Sequence, residues 1–126
     1  MKRTLASFAA LALVVLAACS GGSSEPRSIS GENVTVRMLD SSFEYTEIRV
    51  PVGGTVTFVG TSETLPHNAV ASDGSWSTEA VFGSLEQYAG DEATLTFDTP
   101  GEYTFYCTFH GNPQGGGMAG TLIVEG

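Results

Sequence analysis

From Asn33 onward, apolar side chains recur at every second position in short runs, and glycine or proline separates the runs. "NVTVRML" sets Val34, Val36 and Met38 against Thr35, Arg37 and Leu39. "EIRVPV" repeats the pattern with Ile48, Val50 and Val52, and Pro51 marks an edge or a bend. "TVTFV" aligns Val56 with Phe58, "ATLTF" aligns Leu95 with Phe97, and "YTFYC" aligns Tyr103, Phe105 and Cys107. "HNAVAS" and the closing "GTLIVEG" are further strand candidates. A period of two sends alternate side chains to opposite faces of an extended strand. Gly53-Gly54 and the "DTPGE" turn, with Pro100 and Gly101 at its centre, separate such strands. Short alternating strands with these turns predict an all-β chain folded as an antiparallel sandwich or barrel. A turn of helix is expected at most within Glu79 to Tyr88, and no internal repeat is present. The 95 residues from Glu32 to Gly126 suffice for one modest core.

The start of the chain belongs to a different class. Lys2 and Arg3 precede the apolar run "LASFAALALVVLAA", Leu5 to Ala18, too short to span a bilayer comfortably. A basic start, a short apolar run and small residues before a break describe a secretory signal peptide. A buried helix or a short membrane anchor fits less well, because nothing periodic follows for it to pack against. The break, "LAAC" at Leu16 to Cys19, resembles a bacterial lipobox. That resemblance implies cleavage after Ala18 and lipid attachment at Cys19, which several acyl chains would make durable. "SGGSSEPRSISGE", Ser20 to Glu32, reads as a flexible tether with an r.m.s. span of about 20 Å. The expected organisation is therefore a signal peptide at 1–18, a lipidated N-terminus and linker at 19–32, and a folded domain at 33–126.

Past Ala18 only three arginines face fourteen acidic residues, a formal charge of −11 with no lysine. That balance excludes nucleic acid, whose phosphates need a basic face. The scattered acids serve solubility first, and steering towards a basic protein second. The chain has two cysteines, Cys19 and Cys107. Two cysteines in an exported protein ordinarily suggest a disulfide. Lipidation of Cys19 would instead leave Cys107 an unpaired thiol in an oxidising compartment, and a ligand role becomes attractive.

"CTFHGNPQGGGM" then collects Cys107, His110 and Met118 in one loop, and "LPHNAV" carries the other histidine, His67. Taken singly, His67 would be a surface histidine, Met118 core filler and Cys107 an inert buried thiol. Their coincidence in a chain with no other histidine points to a shared site. Two imidazoles and a thiolate with a weak axial thioether suit copper cycling between Cu(I) and Cu(II). Zinc prefers four strong donors and rarely takes a thioether. Cys–His nucleophilic catalysis would need an orienting polar group and an oxyanion hole, for which this stretch offers little.

"TPGEYTFYCTFHGNPQGGGMAGTLIV" together with "LPHNAV" resembles the plastocyanin-type branch of the cupredoxins, the type 1 blue copper proteins. The similarity covers the body from about Asn33. It implies a cupredoxin-type Greek-key β-sandwich of two sheets that holds one copper ion and carries one electron without substrate turnover. His67, Cys107 and His110 would be equatorial ligands, Met118 the axial ligand, and Asn68 a brace between ligand loops. Two departures stand out. Seven residues, Gly111 to Gly117, separate His110 from Met118, three more than the usual plastocyanin spacing. Phe109 also replaces the proline common before that histidine. Both bear on loop conformation, axial distance and the surface around His110.

The expectation is a monomeric, lipid-anchored electron carrier on the outer side of a cell membrane, facing periplasm or exterior. Its partners would be redox proteins such as a cytochrome or a membrane oxidoreductase. The alternative is an extracytoplasmic protein that sequesters or delivers copper. Such proteins tend towards Met- or His-rich exposed tracts, whereas only Met38 and Met118 remain beyond the leader, besides the two histidines. A multicopper enzyme would need further histidine clusters, which are absent.

Overall fold

A computed structural model describes residues 26–126. The leader at 1–18, Cys19 and the tether as far as residue 25 lie outside the described residues.

The period-two runs become strands, and their apolar face becomes the core. Strand β1 is Ser28–Ser30, β2 Asn33–Met38, β3 Glu47–Pro51, β4 Gly54–Gly60 and β5 Val70–Ala71. One short helix, α1, spans Glu79–Phe82 and ends at Gly83, whose φ of 88° supplies the left-handed stop. Strands β6 (Glu92–Phe97), β7 (Gly101–Gly111) and β8 (Gly117–Glu125) complete the chain. Two sheets form, β1-β3-β8-β7-β5 and β2-β4-β6.

The core lies between them. Val34, Val36 and Met38 of β2 face inward beside Val56 and Phe58 of β4 and Ala93, Leu95 and Phe97 of β6. Ile48, Val50, Phe105, Leu122 and Val124 answer from the other sheet. Phe58 stands between Val36 and Ala93 in register, and the small Ala93 leaves the ring room to tilt across the sandwich. Phe43, Phe58, Trp76, Phe97 and Phe105 form an aromatic cluster, with Phe43 and Phe105 edge to face at 4.8 Å. Such rings combine large buried area with favourable edge-to-face electrostatics.

The sandwich differs from the sequence expectation in three respects. It is mixed, not antiparallel: β1–β3, β3–β8 and β2–β4 pair in parallel. Alternation reports which face is buried and says nothing about a neighbour's direction. Gly53-Gly54 accordingly makes no hairpin, but carries the chain from β3 in one sheet to β4 in the other, with Gly53 at φ 84°. Val52, expected inside, is 44% exposed because alternation ends at this crossing. Finally, the ordered domain begins before Asn33. Ser28–Ser30 pairs with Glu47–Arg49, and the Arg27 carbonyl accepts bonds from the Thr46 and Glu47 amides at 2.9 and 3.1 Å. A three-residue edge strand with one half-buried side chain, Ile29, leaves too little alternation to be read.

Candidate metal centre

The centre is made by a mismatch in one ladder. Strands β7 and β8 pair regularly from Gly101↔Val124 to Tyr106↔Ala119, and pairing resumes only at Gly111↔Gly117. Cys107, Thr108, Phe109 and His110 therefore stand opposite Met118 alone. Four residues against one cannot stay flat. The β7 side bulges, as extra residues on one strand always force it to do, and Cys107 and His110 swing round a common point beside Met118. Cys107 and Met118 are both wholly buried, and His110 is half-buried.

The glycines at the pinch are required by space. A Cβ on Gly111 would meet the Met118 carbonyl oxygen at 2.3 Å, and one on Gly117 would meet the His110 carbonyl oxygen at 2.5 Å. Gly117 also sits at φ 67°. This close approach answers the question of the longer loop. The additional residues are closed off beyond the Gly111–Gly117 pair, where Asn112 ties them to itself. Its Oδ1 accepts the Gln114 and Gly116 amides at 3.0 and 3.1 Å, and the Asn112 amide donates to the Gly116 carbonyl at 3.1 Å. The insertion is a self-contained turn, and Met118 keeps its place opposite the bulge.

His67 arrives from the other side of the site. It has no accessible surface, and it exchanges both backbone hydrogen bonds with Gln87, at 3.1 and 3.0 Å. The next residue, Asn68, fastens this segment to the bulge. Its Oδ1 accepts the Thr108 amide and its Nδ2 donates to Thr108 Oγ1, both at 2.8 Å. The bracing role implied for Asn68 is thus made with Thr108, which the sequence reading had not singled out.

Both imidazoles turn Nδ1 towards the sulfur. Cys107 Sγ lies 3.9 Å from His67 Nδ1 and 3.6 Å from His110 Nδ1, and the ligand atoms all fall within 4.8 Å of one another. The imidazole rings are 4.7 Å apart between centroids. Burial lowers the His67 pKa, and nearby His110 lowers it further, which favours the uncharged ring that a metal needs. Cys107 forms no disulfide among the described residues. No carboxylate belongs to this group among the described residues. Two imidazole nitrogens, one thiol sulfur and a buried thioether fit copper. They lack the fourth strong donor that structural zinc requires.

The comparisons with known proteins agree with this geometry. The model for copper binding proteins of the plastocyanin/azurin family matches residues 32–125. A plastocyanin of Scenedesmus fuscus is 34% identical over 102 residues, covering 74% of this chain and all of the relative. Amicyanin-alpha of Methylorubrum extorquens is 29% identical over 121 residues, covering 96% of this chain and 92% of its own. Among solved structures, the copper-containing nitrite reductase of Thermus scotoductus superposes with a TM-score of 0.59 at 28% identity. That match covers 75% of this chain but only 22% of the reductase. The chain belongs to the copper-binding plastocyanin/azurin family, a cupredoxin of the blue copper electron-transfer type with His67, Cys107, His110 and Met118 arranged as a type 1 copper site.

Proposed function

We propose that the protein is a lipid-anchored carrier that shuttles single electrons between membrane-associated redox partners outside the cytoplasm, and not an enzyme. The observation that carries the electron-transfer reading is the buried His67–Cys107–His110 cluster, reached from solvent at His110 alone. Bound copper would supply the one-electron couple. The chain's own contribution is to hold four donors still. The Asn68–Thr108 pair and the His67–Gln87 bridge fix the inner side, and the Gly111–Gly117 pinch fixes the outer side. Donors that barely move between oxidation states keep the cost of reorganisation small. His110 is the port, because it is the half-buried ligand and Phe109 beside it is 42% exposed.

The anchor reading rests on "LAAC" at the end of the apolar run. The path of the chain supports it. Strands β1, β3 and β8 run parallel, with Ser28 level with Glu47 and Thr121. Followed backwards from Ser28, the chain heads towards the end of β8 that carries Met118. An anchored tether continuing from there would put the redox end nearer its point of attachment than the opposite end of the sandwich. Storage or delivery of copper is less well served, since Cys107, His67 and Met118 have no accessible surface from which to pass an ion on.

Two measurements test these readings separately. Protein loaded with Cu(II) should show intense visible absorption from thiolate-to-copper charge transfer, and Cys107→Ala should abolish it. A colourless copper complex, or an unchanged spectrum in the variant, sinks the blue copper reading. Mass spectrometry of protein from membranes should show acyl chains on an N-terminal Cys19. An unmodified Cys19, or a Cys19–Cys107 disulfide, overturns the anchor.

A further inference from the structure

Four buried side-chain atoms lack a hydrogen-bond partner among the described residues, and two of them belong to residues paired across one β-bridge: His67 Nε2 and Gln87 Oε1. Residues that exchange both backbone bonds in an antiparallel pair carry their side chains on the same face, with Cβ atoms about 5 Å apart. Both side chains are wholly buried, so water cannot freely serve either atom. Buried polar atoms are rarely left alone, and an unpaired one calls for an explanation.

The two atoms are chemically complementary. His67 presents Nδ1 to Cys107 Sγ, and a ring nitrogen that binds a metal carries no proton. The proton of a neutral ring then resides on Nε2, which is a donor without an acceptor. The orientation of Gln87 is set independently, because its Nε2 donates to the Phe58 carbonyl at 3.4 Å. Its Oε1 is therefore the free end, an acceptor without a donor. Paired with each other, both atoms would be satisfied.

We propose that Gln87 is the positioning residue for His67. In the copper-loaded protein, Gln87 Oε1 accepts the hydrogen bond of His67 Nε2–H, which fixes the tautomer, orients the ring and makes Nδ1 a more basic ligand. Metal-binding histidines generally donate their second N–H in this way, and loss of such a partner weakens metal binding about 10–100-fold. The inference rests on the copper reading above and adds to it a residue outside the ligand set, on the segment between α1 and β6.

The test uses full-length protein carrying Cu(I), which is diamagnetic, with 15N-labelled histidine. NMR should show His67 protonated at Nε2, with a proton shifted downfield and protected from solvent exchange. Gln87→Leu, which keeps the bulk and removes the acceptor, should move that proton upfield and speed its exchange. It should also weaken copper binding about 10–100-fold and raise the reduction potential. Gln87→Glu offers a stronger acceptor of the same shape, and should move the proton further downfield and lower the potential. It also serves as the second arm if the leucine variant fails to fold. A proton on Nδ1 in the wild type, or the same shift, exchange rate and potential in the wild type and both variants, overturns the proposal and leaves Gln87 a strut to Phe58. Failure of the wild type to bind copper at all would instead overturn the copper reading itself.

Discussion

The two histidines of the centre are held by opposite means. His67 is walled in: no surface is accessible, both backbone groups are bonded to Gln87, and its neighbour Asn68 is clamped to Thr108. His110 stands half-buried in a gap of the β7–β8 ladder, between exposed Phe109 and a glycine that only a close backbone approach explains. One side of the site is rigid because it is part of the core. The other is positioned by the ladder on either side of the gap and remains open to a partner. The difference separates two tasks, keeping the donors fixed and letting an electron out, that would conflict if each histidine did both.

The contrast is most sharply tested by emptying each side in turn. His67→Gly and His110→Gly should both lose the blue chromophore. Excess imidazole should restore it in the His110 variant, whose vacated position meets solvent, and not in the His67 variant. Equal rescue of both, followed by absorption spectroscopy, would erase the distinction. The next effect is on stability. Phe105→Ala removes a ring at 0% exposure from the middle of the aromatic cluster and should cost about 3–5 kcal/mol. Phe109→Ala, on the open side, should stay within about 0.5 kcal/mol by denaturant titration.

A smaller effect separates the two braces. Asn68→Ala removes both bonds to Thr108 and leaves a backbone amide unpaired, a loss of about 2 kcal/mol. The melting temperature should then fall by about 10 °C for a domain of this size. Asn112→Ala loosens only the turn beyond the glycine pinch and should leave the visible spectrum unchanged. A spectral change there would show that the insertion reaches the site. The finest adjustment is Met118→Leu, which removes a weak donor at nearly constant volume. Colour and copper binding should persist while voltammetry shows a higher potential, because losing axial donation disfavours Cu(II). If potential and spectrum both stay put, Met118 is not a donor.

Much of this molecule is legible in its sequence. Period-two burial placed Val34, Val36, Met38, Val56, Phe58, Leu95, Phe97, Phe105 and Cys107 on the inner faces correctly. The donor set was readable because soft and borderline ligands are scarce in the chain and gather at Cys107–Met118. Parallel pairing was hidden, since register between distant strands depends on which sheet each strand joins. The four-against-one bulge was hidden for the same reason: Cys107 to His110 continue a strand pattern, and only the resumed pairing of Gly111 with Gly117 shows where they leave it. Gln87 and Thr108 gave no local signal either. "LEQYAG" reads as an ordinary polar loop, and the burial of Gln87 arises from its bridge to a residue twenty positions earlier.

The short strand β1 also has a mechanical meaning. Its N-terminal end and the C-terminal end of β8 lie at opposite ends of parallel strands, with β3 between them. A pull applied at the two chain ends therefore loads the hydrogen bonds of β1 in shear, the geometry in which several must fail together instead of opening one by one. Yet β1 is only three residues long and buries part of a single side chain. It should slip free well before the sandwich yields, while the metal end stays intact. Stretched between optical traps, the protein should show one early, low-force event ahead of the main rupture. β1 is then a latch of low strength in series with a strong body: a pull on the N-terminal side would break β1 before it could distort the copper centre.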